Sequence, residues 1–267
     1  MSTIEIRQFP CRSDNYGILI HDRSAGVTAA VDAPDEDAVR KALRGAGWAL
    51  THIFTTHSHF DHVAGHQALK RETNCTIYGP KKEARDIPCI DIPVAEGDKL
   101  PFGSTEVQVM ETPGHTPGHV TYFLPNAVDV PGSGRKSGVA FAGDTLFSVG
   151  CGRVIEGRHA EMWRSLQKIM ALPPDTLIYC GHEYTQANIG FALTAEPENP
   201  ALLDRKRKVD ALRSRGEPTL PVTLATELET NPFLRAKSPA IRKCLGLGPD
   251  VPDSKVFEAL RRRKDRF

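Results

Sequence analysis

Residues 55–62 carry three histidines and an aspartate in the order Thr-Thr-His-Ser-His-Phe-Asp-His. In an extended or turning loop, His57 and His59 can face one way while Asp61 and His62 face another. Imidazole and carboxylate groups suit a borderline divalent ion such as zinc, and also iron or manganese. One short segment could therefore serve two metal ions, which two-metal hydrolases hold about 3.5–4 Å apart.

Three further candidate ligands follow other apolar segments. The loop TPGHTPGH contains His115, which we take as a ligand, and His119, which immediately precedes a strand and is expected to orient the site. Asp144 ends the apolar run VAFAGD and is the natural carboxylate to bridge two metals, and His182 follows the strand TLIYC. Because sites in α/β sheets gather at strand ends, we predict a binuclear metal centre.

The elements that position these residues alternate between strands and helices. Period-two apolar patterns predict strands, and apolar residues three and four apart predict helices. We expect a polar, glycine-rich connection over 126–138 to be an exposed loop, and the chain after Tyr184 to be helical. The main expected strands are 1–10, 15–21, 26–32, 50–54, 139–144 and 176–180, and the main expected helices are 35–44, 63–71, 160–171, 186–195, 200–215 and 253–266.

Composition excludes several classes of protein. The 267 residues include 34 basic and 33 acidic ones, which argues against a nucleic-acid or membrane-surface binder with an extended basic field. No apolar run approaches a membrane span, and the N-terminus has no signal core, so we expect a cytoplasmic protein without a membrane partner. Six scattered cysteines without a C-x-x-C pair indicate reduced thiols. We expect a monomer.

Four motifs carry a family resemblance. THxHxDH, PGHTPGH, FAGDTLF and YCGHEY resemble the metallo-β-lactamase superfamily. TNPFLR at 230–235 and the final KDRF narrow the resemblance to the glyoxalase II family of hydroxyacylglutathione hydrolases. The resemblance implies an α/β fold, namely an αββα metallo-β-lactamase sandwich over 1–183 with a smaller C-terminal α-helical domain over 184–267. The first domain would hold two metals and the second would supply part of a glutathione pocket.

The resemblance also implies roles for individual residues. Some relatives carry a tyrosine where this chain has Ile155, so that one substrate hydrogen bond would be missing here. Asp144 would bridge the metals. One metal would be held by His57, His59 and His115, and the other by Asp61, His62 and His182. The glutathione moiety would be bound by Arg153, Tyr184, Arg261 and Lys264, although basic residues at a helix end are often only solvated.

The activity implied is hydrolysis of S-(2-hydroxyacyl)glutathione thioesters, with S-D-lactoylglutathione giving glutathione and D-lactate, the second step of methylglyoxal detoxification. Hydroxide held between two divalent metals, zinc first and iron or manganese as alternatives, would attack the thioester, with His57, His59, Asp61 and Asp144 as the catalytic group. A second hypothesis is a glutathione persulfide dioxygenase with a single iron on the same fold; the helical tail favours the hydrolase. A nucleic-acid-processing enzyme of the superfamily is disfavoured, because it would need a basic channel and an inserted domain. A non-catalytic metal-binding protein is also disfavoured, because the ligand set leaves room for a hydroxide.

Overall fold

Two six-stranded sheets form the first two thirds of the chain, and helices dominate the rest. The structure is a computed structural model that describes residues 3–130 and 132–267. Its strands are β1 (Ile4–Cys11), β2 (Asn15–Asp22), β3 (Val27–Val31), β4 (His52–Phe54), β5 (Thr76–Pro80), β6 (Ile92–Val94), β7 (Lys99–Phe102), β8 (Thr105–Glu111), β9 (Val120–Asp129), β10 (Lys136–Phe141), β11 (Leu146–Phe147), β12 (Gly150–Cys151), β13 (Leu177–Tyr179) and β14 (Val222–Thr223). Its helices are α1 (Glu36–Ala46), α2 (Phe60–Val63), α3 (His66–Thr73), α4 (His159–Met170), α5 (Thr185–Ala195), α6 (Pro200–Ser214), α7 (Leu224–Thr230), α8 (Pro239–Cys244) and α9 (Asp253–Lys264).

Each sheet mixes antiparallel and parallel pairs. The first sheet has the order β1-β2-β3-β4-β5-β6 and becomes parallel from β3 onward. The second has the order β14-β13-β10-β9-β8-β7, in which β10 and β13 are parallel. Six of the candidate ligands follow β4, β10 or β13, each of which has a parallel partner, and His115 follows the antiparallel strand β8. β11 and β12 form a separate small hairpin.

Apolar side chains from the facing sides of both sheets fill the space between them. Phe54 of the first sheet and Tyr122 of the second lie in ring contact, with centroids 5.3 Å apart, and both are fully buried. Burying a side chain of this size contributes about 1.5–3 kcal/mol. The hydroxyl of Tyr122 donates to Thr55 O at 2.8 Å, so this inter-sheet core also supports the start of the metal-binding segment.

Helices cover the outer faces of both sheets. On the first sheet, Val39 and Leu43 of α1 and Leu69 of α3 pack against Ile53. On the second, α4 and the C-terminal helices pack against β10 and β13. The layers are therefore helix, sheet, sheet and helix, which confirms the predicted αββα sandwich with a C-terminal helical region. Among the described residues, no helix is both long and apolar enough to cross a bilayer.

Two predictions about local structure were wrong. The stretch 126–138 is mostly a continuation of β9 and β10, in which Asp129 pairs with Lys136 and Val128 with Ser137. The polar composition reflects an exposed hairpin end, whereas Ala127 beneath it is buried. Between the two strands, residues 132 and 133 form a turn.

The expected single helix over 63–71 is instead two helices separated at Gly65. The backbone there lies so close to Ala33 and Glu36 that a Cβ atom would meet Ala33 O and Glu36 N at 3.0 Å. The first of these helices, α2, begins at Phe60. Asp61 and His62 therefore lie on a helix rather than on a loop. In a helix, successive side chains point about 100° apart around the axis.

Candidate metal centre

The structure brings all seven predicted ligands together at one edge of the sandwich. The segment after β4 supplies His57, His59, Asp61 and His62, and the remaining three come from other strand ends. His115 lies in the β8–β9 connection, Asp144 follows β10 and His182 follows β13. Except for His59 and Asp61, these side chains belong to buried residues.

Their donor atoms form three overlapping groups. One group consists of His57, His59 and His115, and another of Asp61, His62 and His182, with the donor atoms of each group within 4.8 Å of one another. A third group, His57, His62 and Asp144, overlaps both. The Asp144 carboxylate lies 3.4 Å from His62 Nε2, 3.5 Å from His115 Nε2 and 3.4 Å from His182 Nε2.

Hydrogen bonds on the far side of three imidazoles determine which nitrogen faces the centre. His62 Nδ1 contacts Asp32 Oδ2 at 2.7 Å, and His182 Nδ1 contacts Asp14 Oδ1 at 2.8 Å. His115 Nδ1 contacts the carbonyl oxygen of Arg153 at 2.9 Å. In each case Nδ1–H donates outward and Nε2 is left for a metal, an arrangement that fixes the orientation of metal-binding histidines.

The imidazoles of His57 and His59 also have one nitrogen near a polar group outside the centre and the other facing it. His57 Nδ1 lies 2.9 Å from the hydroxyl of Thr56, which leaves its Nε2 toward the centre. His59 is turned round: its Nε2 lies 3.3 Å from Glu156 Oε1, and its Nδ1 lies 3.0 Å from His115 Nε2.

Several residues that support the site were missed by sequence reasoning. Asp32 contacts His62 and also accepts from the backbone N–H (2.7 Å) and hydroxyl (2.8 Å) of Thr56. Asp14 holds His182, and Asn15 Nδ2 donates to Asp61 Oδ2 at 3.1 Å. The available signal was positional, because Asp32 directly follows an apolar strand just as Asp144 does.

Buried Glu83 was also missed, and it ties two ligand-bearing segments together. One carboxylate oxygen accepts from Ser58 N at 2.7 Å, and the other accepts from Gly118 N at 2.7 Å. His119 acts from a further position, as expected: its Nε2 accepts from the backbone N–H of Asp144 at 3.0 Å. The segments that carry His57, His115 and Asp144 are therefore linked by buried hydrogen bonds.

Close approach explains the glycine in the GHEY motif. A Cβ atom on Gly181 would lie 2.6 Å from Asp144 Oδ1 and 2.8 Å from His62 Cε1. No side chain can occupy that position without displacing the central carboxylate.

The electrostatics of the cluster favour bound cations. Burial lowers the pKa of His57 well below its usual range, which leaves a neutral imidazole. Burial opposes the charge on His62 as well, but the carboxylates of Asp144 and Asp32 raise its pKa well above the usual range. Burial opposes the negative charge on Asp144, yet His62 and His182 hold the pKa of this carboxyl well below its ordinary value. Metal ions compete with protons for such groups.

Unsatisfied polar atoms test whether the site fits metal ions. His57 Nε2, His62 Nε2 and Asp144 Oδ1 are buried and lack hydrogen bonds within the described part of the chain. Buried polar atoms normally have partners, and of the eight without one among the described residues, these three belong to the cluster. Imidazole nitrogens and carboxylate oxygens in groups of three or more are the donor set of zinc and related divalent ions. The residues therefore fit divalent metals.

A cavity of about 310 Å³ lies beside the cluster and contains all four predicted substrate-binding residues. Arg153 is exposed, and Tyr184 is half-buried against the ring of His182. Lys264 lies over the rings of Phe191 and Phe233, and its ammonium donates to Asn188 Oδ1. The remaining wall consists of Phe147, Cys151, Ala187, Asn188 and Asp265.

Arg261 differs from the other three because its guanidinium is already engaged. It is 2% exposed, donates to Cys151 O at 2.9 Å and pairs with Asp265 at 2.8 Å. Its guanidinium also lies 5.0 Å from the ring centroid of Phe233. Arg261 therefore shapes the cavity wall, and it contributes positive charge there.

Comparison with known proteins decides the family. Residues 26–182 match the model of the metallo-beta-lactamase superfamily, and residues 183–267 match the hydroxyacylglutathione hydrolase C-terminus. The hydroxyacylglutathione hydrolase of Brucella anthropi is 51% identical over 264 residues, covering 99% of this chain and 97% of that protein. The corresponding protein of Brucella ovis is 51% identical with coverages of 99% and 98%. The chain belongs to the hydroxyacylglutathione hydrolase family.

Solved structures agree on the fold. ETHE1 from Myxococcus xanthus is 25% identical, with a TM-score of 0.64 and coverage of 97% of this chain and 98% of that one. A metallo-beta-lactamase from Staphylococcus aureus has a TM-score of 0.65 at 21% identity, covering 99% of this chain and 72% of that one. Together with the histidine and aspartate cluster, membership of this hydrolase family and superfamily supports divalent metal binding.

Proposed function

We propose that this chain hydrolyses S-(2-hydroxyacyl)glutathione thioesters to glutathione and a 2-hydroxy acid, with S-D-lactoylglutathione as the substrate that yields D-lactate. The second step of methylglyoxal detoxification is the corresponding biological role. The chain is a member of the hydroxyacylglutathione hydrolase family, and relatives that are 51% identical over nearly its whole length carry that name.

One observation supports this function above all others. The Asp144 carboxylate lies within 3.5 Å of imidazoles from both groups of donor atoms. Beside them is a cavity with cationic side chains from Arg153, Arg261 and Lys264. The substrate has the matching chemistry: a thioester carbonyl, which polarisation activates, and a tripeptide with free carboxylates, which cations bind.

Each cavity residue has a distinct role in this proposal. Arg153 and Lys264 pair with the glutathione carboxylates, and Tyr184 offers a hydroxyl to the peptide backbone. Arg261 fixes the wall through Cys151 O and adds charge. Ile155 is 61% exposed and offers no hydrogen-bond donor where some relatives have a tyrosine. Binding through these groups orients the thioester toward the cluster, which lowers the barrier by positioning.

The metal ions would be held by His57, His59 and His115 on one side and by Asp61, His62 and His182 on the other, with Asp144 between them. When bound, a divalent metal pair supplies Lewis acidity and lowers the pKa of water from 15.7 toward about 7. Solvent or Asp61, whose carboxylate accepts from Asn15 Nδ2, would supply the proton that the departing glutathione sulfur takes up. Asp32, Asp14 and Arg153 O keep the outward nitrogens of their imidazoles protonated.

Two metals per chain, zinc first with iron or manganese as alternatives, remain part of the proposal. A cytoplasmic location, a monomeric state and the lack of a nucleic-acid partner likewise stay predictions from the sequence.

A glutathione persulfide dioxygenase is the competing function. It would need a single iron, for which three side chains suffice, whereas this chain offers seven donors in overlapping groups. The decisive experiment gives the purified metal-loaded protein S-D-lactoylglutathione and glutathione persulfide in parallel. We expect loss of the thioester absorbance and release of free thiol, without oxygen uptake. Oxygen consumption on the persulfide, without thioester loss, would reverse the assignment.

A further inference from the structure

The small hairpin formed by β11 and β12 connects two parts of the metal centre. It starts two residues after Asp144 and ends two residues before Arg153. The carbonyl oxygen of Arg153 is the group that orients His115, at 2.9 Å from Nδ1. A displacement of the hairpin would therefore move the shared carboxylate and the support of a candidate ligand together.

The turn of this hairpin is strained. Val149 has a φ of +57° and is fully buried against Ile189, Leu202 and Val209. A β-branched residue rarely adopts this left-handed conformation, which persists only when the surroundings impose it. Groups outside the hairpin must therefore hold the turn.

Those groups come from the C-terminal helical region. The carboxylate of Glu227 on α7 accepts from the backbone N–H of Val149 at 3.0 Å. Arg205 on α6 pairs with Glu227 and donates to the hydroxyl of Ser148 at 2.9 Å. Asn188 on α5 donates to Ser148 O at 2.9 Å. Residues of three helices, α5, α6 and α7, therefore hydrogen-bond to the turn, and none of these helices belongs to the two sheets.

The two strands of the hairpin are held in the same way. The two N–H donors of Asn231 Nδ2 are shared among three acceptors: Phe147 O at 3.2 Å, Gly150 O at 2.9 Å and Glu227 Oε2 at 2.8 Å. Arg205, Glu227 and Asn231 are all buried, with exposures of 7%, 0% and 0%. Buried ionic networks are not generally a source of stability, so a role in fixing geometry is the stronger explanation for this one.

We propose that Arg205, Glu227 and Asn231 are positioning residues for the metal centre. They hold the strained hairpin, and through it the positions of Asp144 and of the carbonyl oxygen that orients His115. The helical region then has a second task besides lining the substrate cavity. The kinetic consequence of this inference rests on the proposed hydrolase function, whereas the consequence for metal geometry does not.

Glu227→Gln tests the proposal with little change in shape. The substitution removes the negative charge that pairs with Arg205 and places an NH₂ group within the buried network. We expect kcat for S-D-lactoylglutathione to fall about 10–100-fold, as for loss of an outer partner of a metal ligand, while KM changes less than about twofold. The visible spectrum of the cobalt(II)-loaded variant should differ from that of the parent protein, because the coordination geometry changes.

Glu196→Gln is the matched control. Glu196 is also a buried carboxylate of the helical region, 3% exposed and paired with Arg235 at 2.8 Å, but it has no hydrogen bond to the hairpin in the described parts of the chain. This control should lower stability without altering kcat or the cobalt spectrum. The proposal is wrong if Glu227→Gln retains the parent's kcat and spectrum, or if both variants change them to the same extent.

If Glu227→Gln does not fold, a second variant tests the same proposal. Arg205→Lys keeps a cation beside Glu227 but removes the guanidinium fork, and we expect the same altered spectrum with a smaller fall in kcat. If the parent protein does not hydrolyse the thioester, the function fails, and the cobalt spectra of the variants still decide the positioning role. Unchanged spectra in a folded Arg205→Lys protein would overturn it.

Discussion

The ring of Tyr184 stacks on the ring of His182, with centroids 4.8 Å apart and an angle of 5° between the planes. Phe147 contacts both rings edge-on, at 5.9 Å from His182 and 5.2 Å from Tyr184. A candidate metal ligand and a candidate substrate-binding residue thus share one aromatic cluster. The cavity and the metal centre are therefore in direct contact.

Tyr184→Phe should separate the two roles of this tyrosine. The phenyl ring keeps the stack on His182, so metal content should not change. Only the hydroxyl is lost, and a hydrogen bond contributes about 0.5–1.5 kcal/mol, so KM should rise about 2–12-fold. Steady-state kinetics with metal analysis checks this, and Tyr78→Phe, whose side chain does not line the cavity, serves as the control. Unchanged KM would mean that the hydroxyl does not contact the substrate.

Asp144→Ala should remove metal and activity together. Three imidazoles lie within 3.5 Å of its carboxylate, so the variant loses the group shared by both halves of the centre. The loss of activity should exceed about 100-fold, which is the upper range for outer partners of a ligand. Metal analysis after dialysis provides the measurement, with Asp204→Ala on helix α6 as the control. Wild-type activity in Asp144→Ala would refute the bridging role.

Ile155→Tyr should improve substrate binding. Ile155 is 61% exposed, so a tyrosine ring fits there without displacing other groups. A new hydrogen bond of about 1 kcal/mol would lower KM about fivefold. Ile155→Phe adds the ring without the hydroxyl and is the matched control. Equal KM values for the two variants would show that the hydroxyl finds no partner on the substrate.

The KM for the substrate should depend on pH through the charge of Lys264. Burial, with a contribution from Arg261, lowers the pKa of its ammonium to about 8. The side chain is charged below that pH and becomes neutral above it, so KM should rise with increasing pH, by up to about tenfold one unit above the pKa. Lys264→Arg keeps the charge at all these pH values and should flatten the profile. A parent protein with constant KM from pH 7 to 9.5 would contradict this role.

The cluster of candidate ligands was accessible from the sequence because each candidate follows an apolar strand within a distinctive motif. The supporting residues were not, since Asp14, Asp32 and Glu83 are single carboxylates whose partners lie far away in the chain. Glu83 is the clearest case, because it reaches Ser58 and Gly118 from the short 3₁₀ helix Lys81–Glu83.

For secondary structure as well, local patterns were predictable from the sequence and effects of distant contacts were not. The period-two strands and the helices with apolar faces were predicted well. The division of helix 63–71 depends on the close contact of Gly65 with Ala33, and the β9–β10 extension depends on pairing between polar strands, so tertiary contacts decide both. The hairpin at Val149 is held by Glu227 and Asn231, about eighty positions later in the sequence, and no local pattern encodes that contact.

The most direct test of the central claim is a metal titration of the chelator-treated protein that follows S-D-lactoylglutathione hydrolysis in the same samples. Two divalent ions per chain with thioester hydrolysis that appears only as they bind is the predicted result. Full hydrolysis by the metal-free protein, or a fully loaded protein that leaves the thioester intact, would contradict the account.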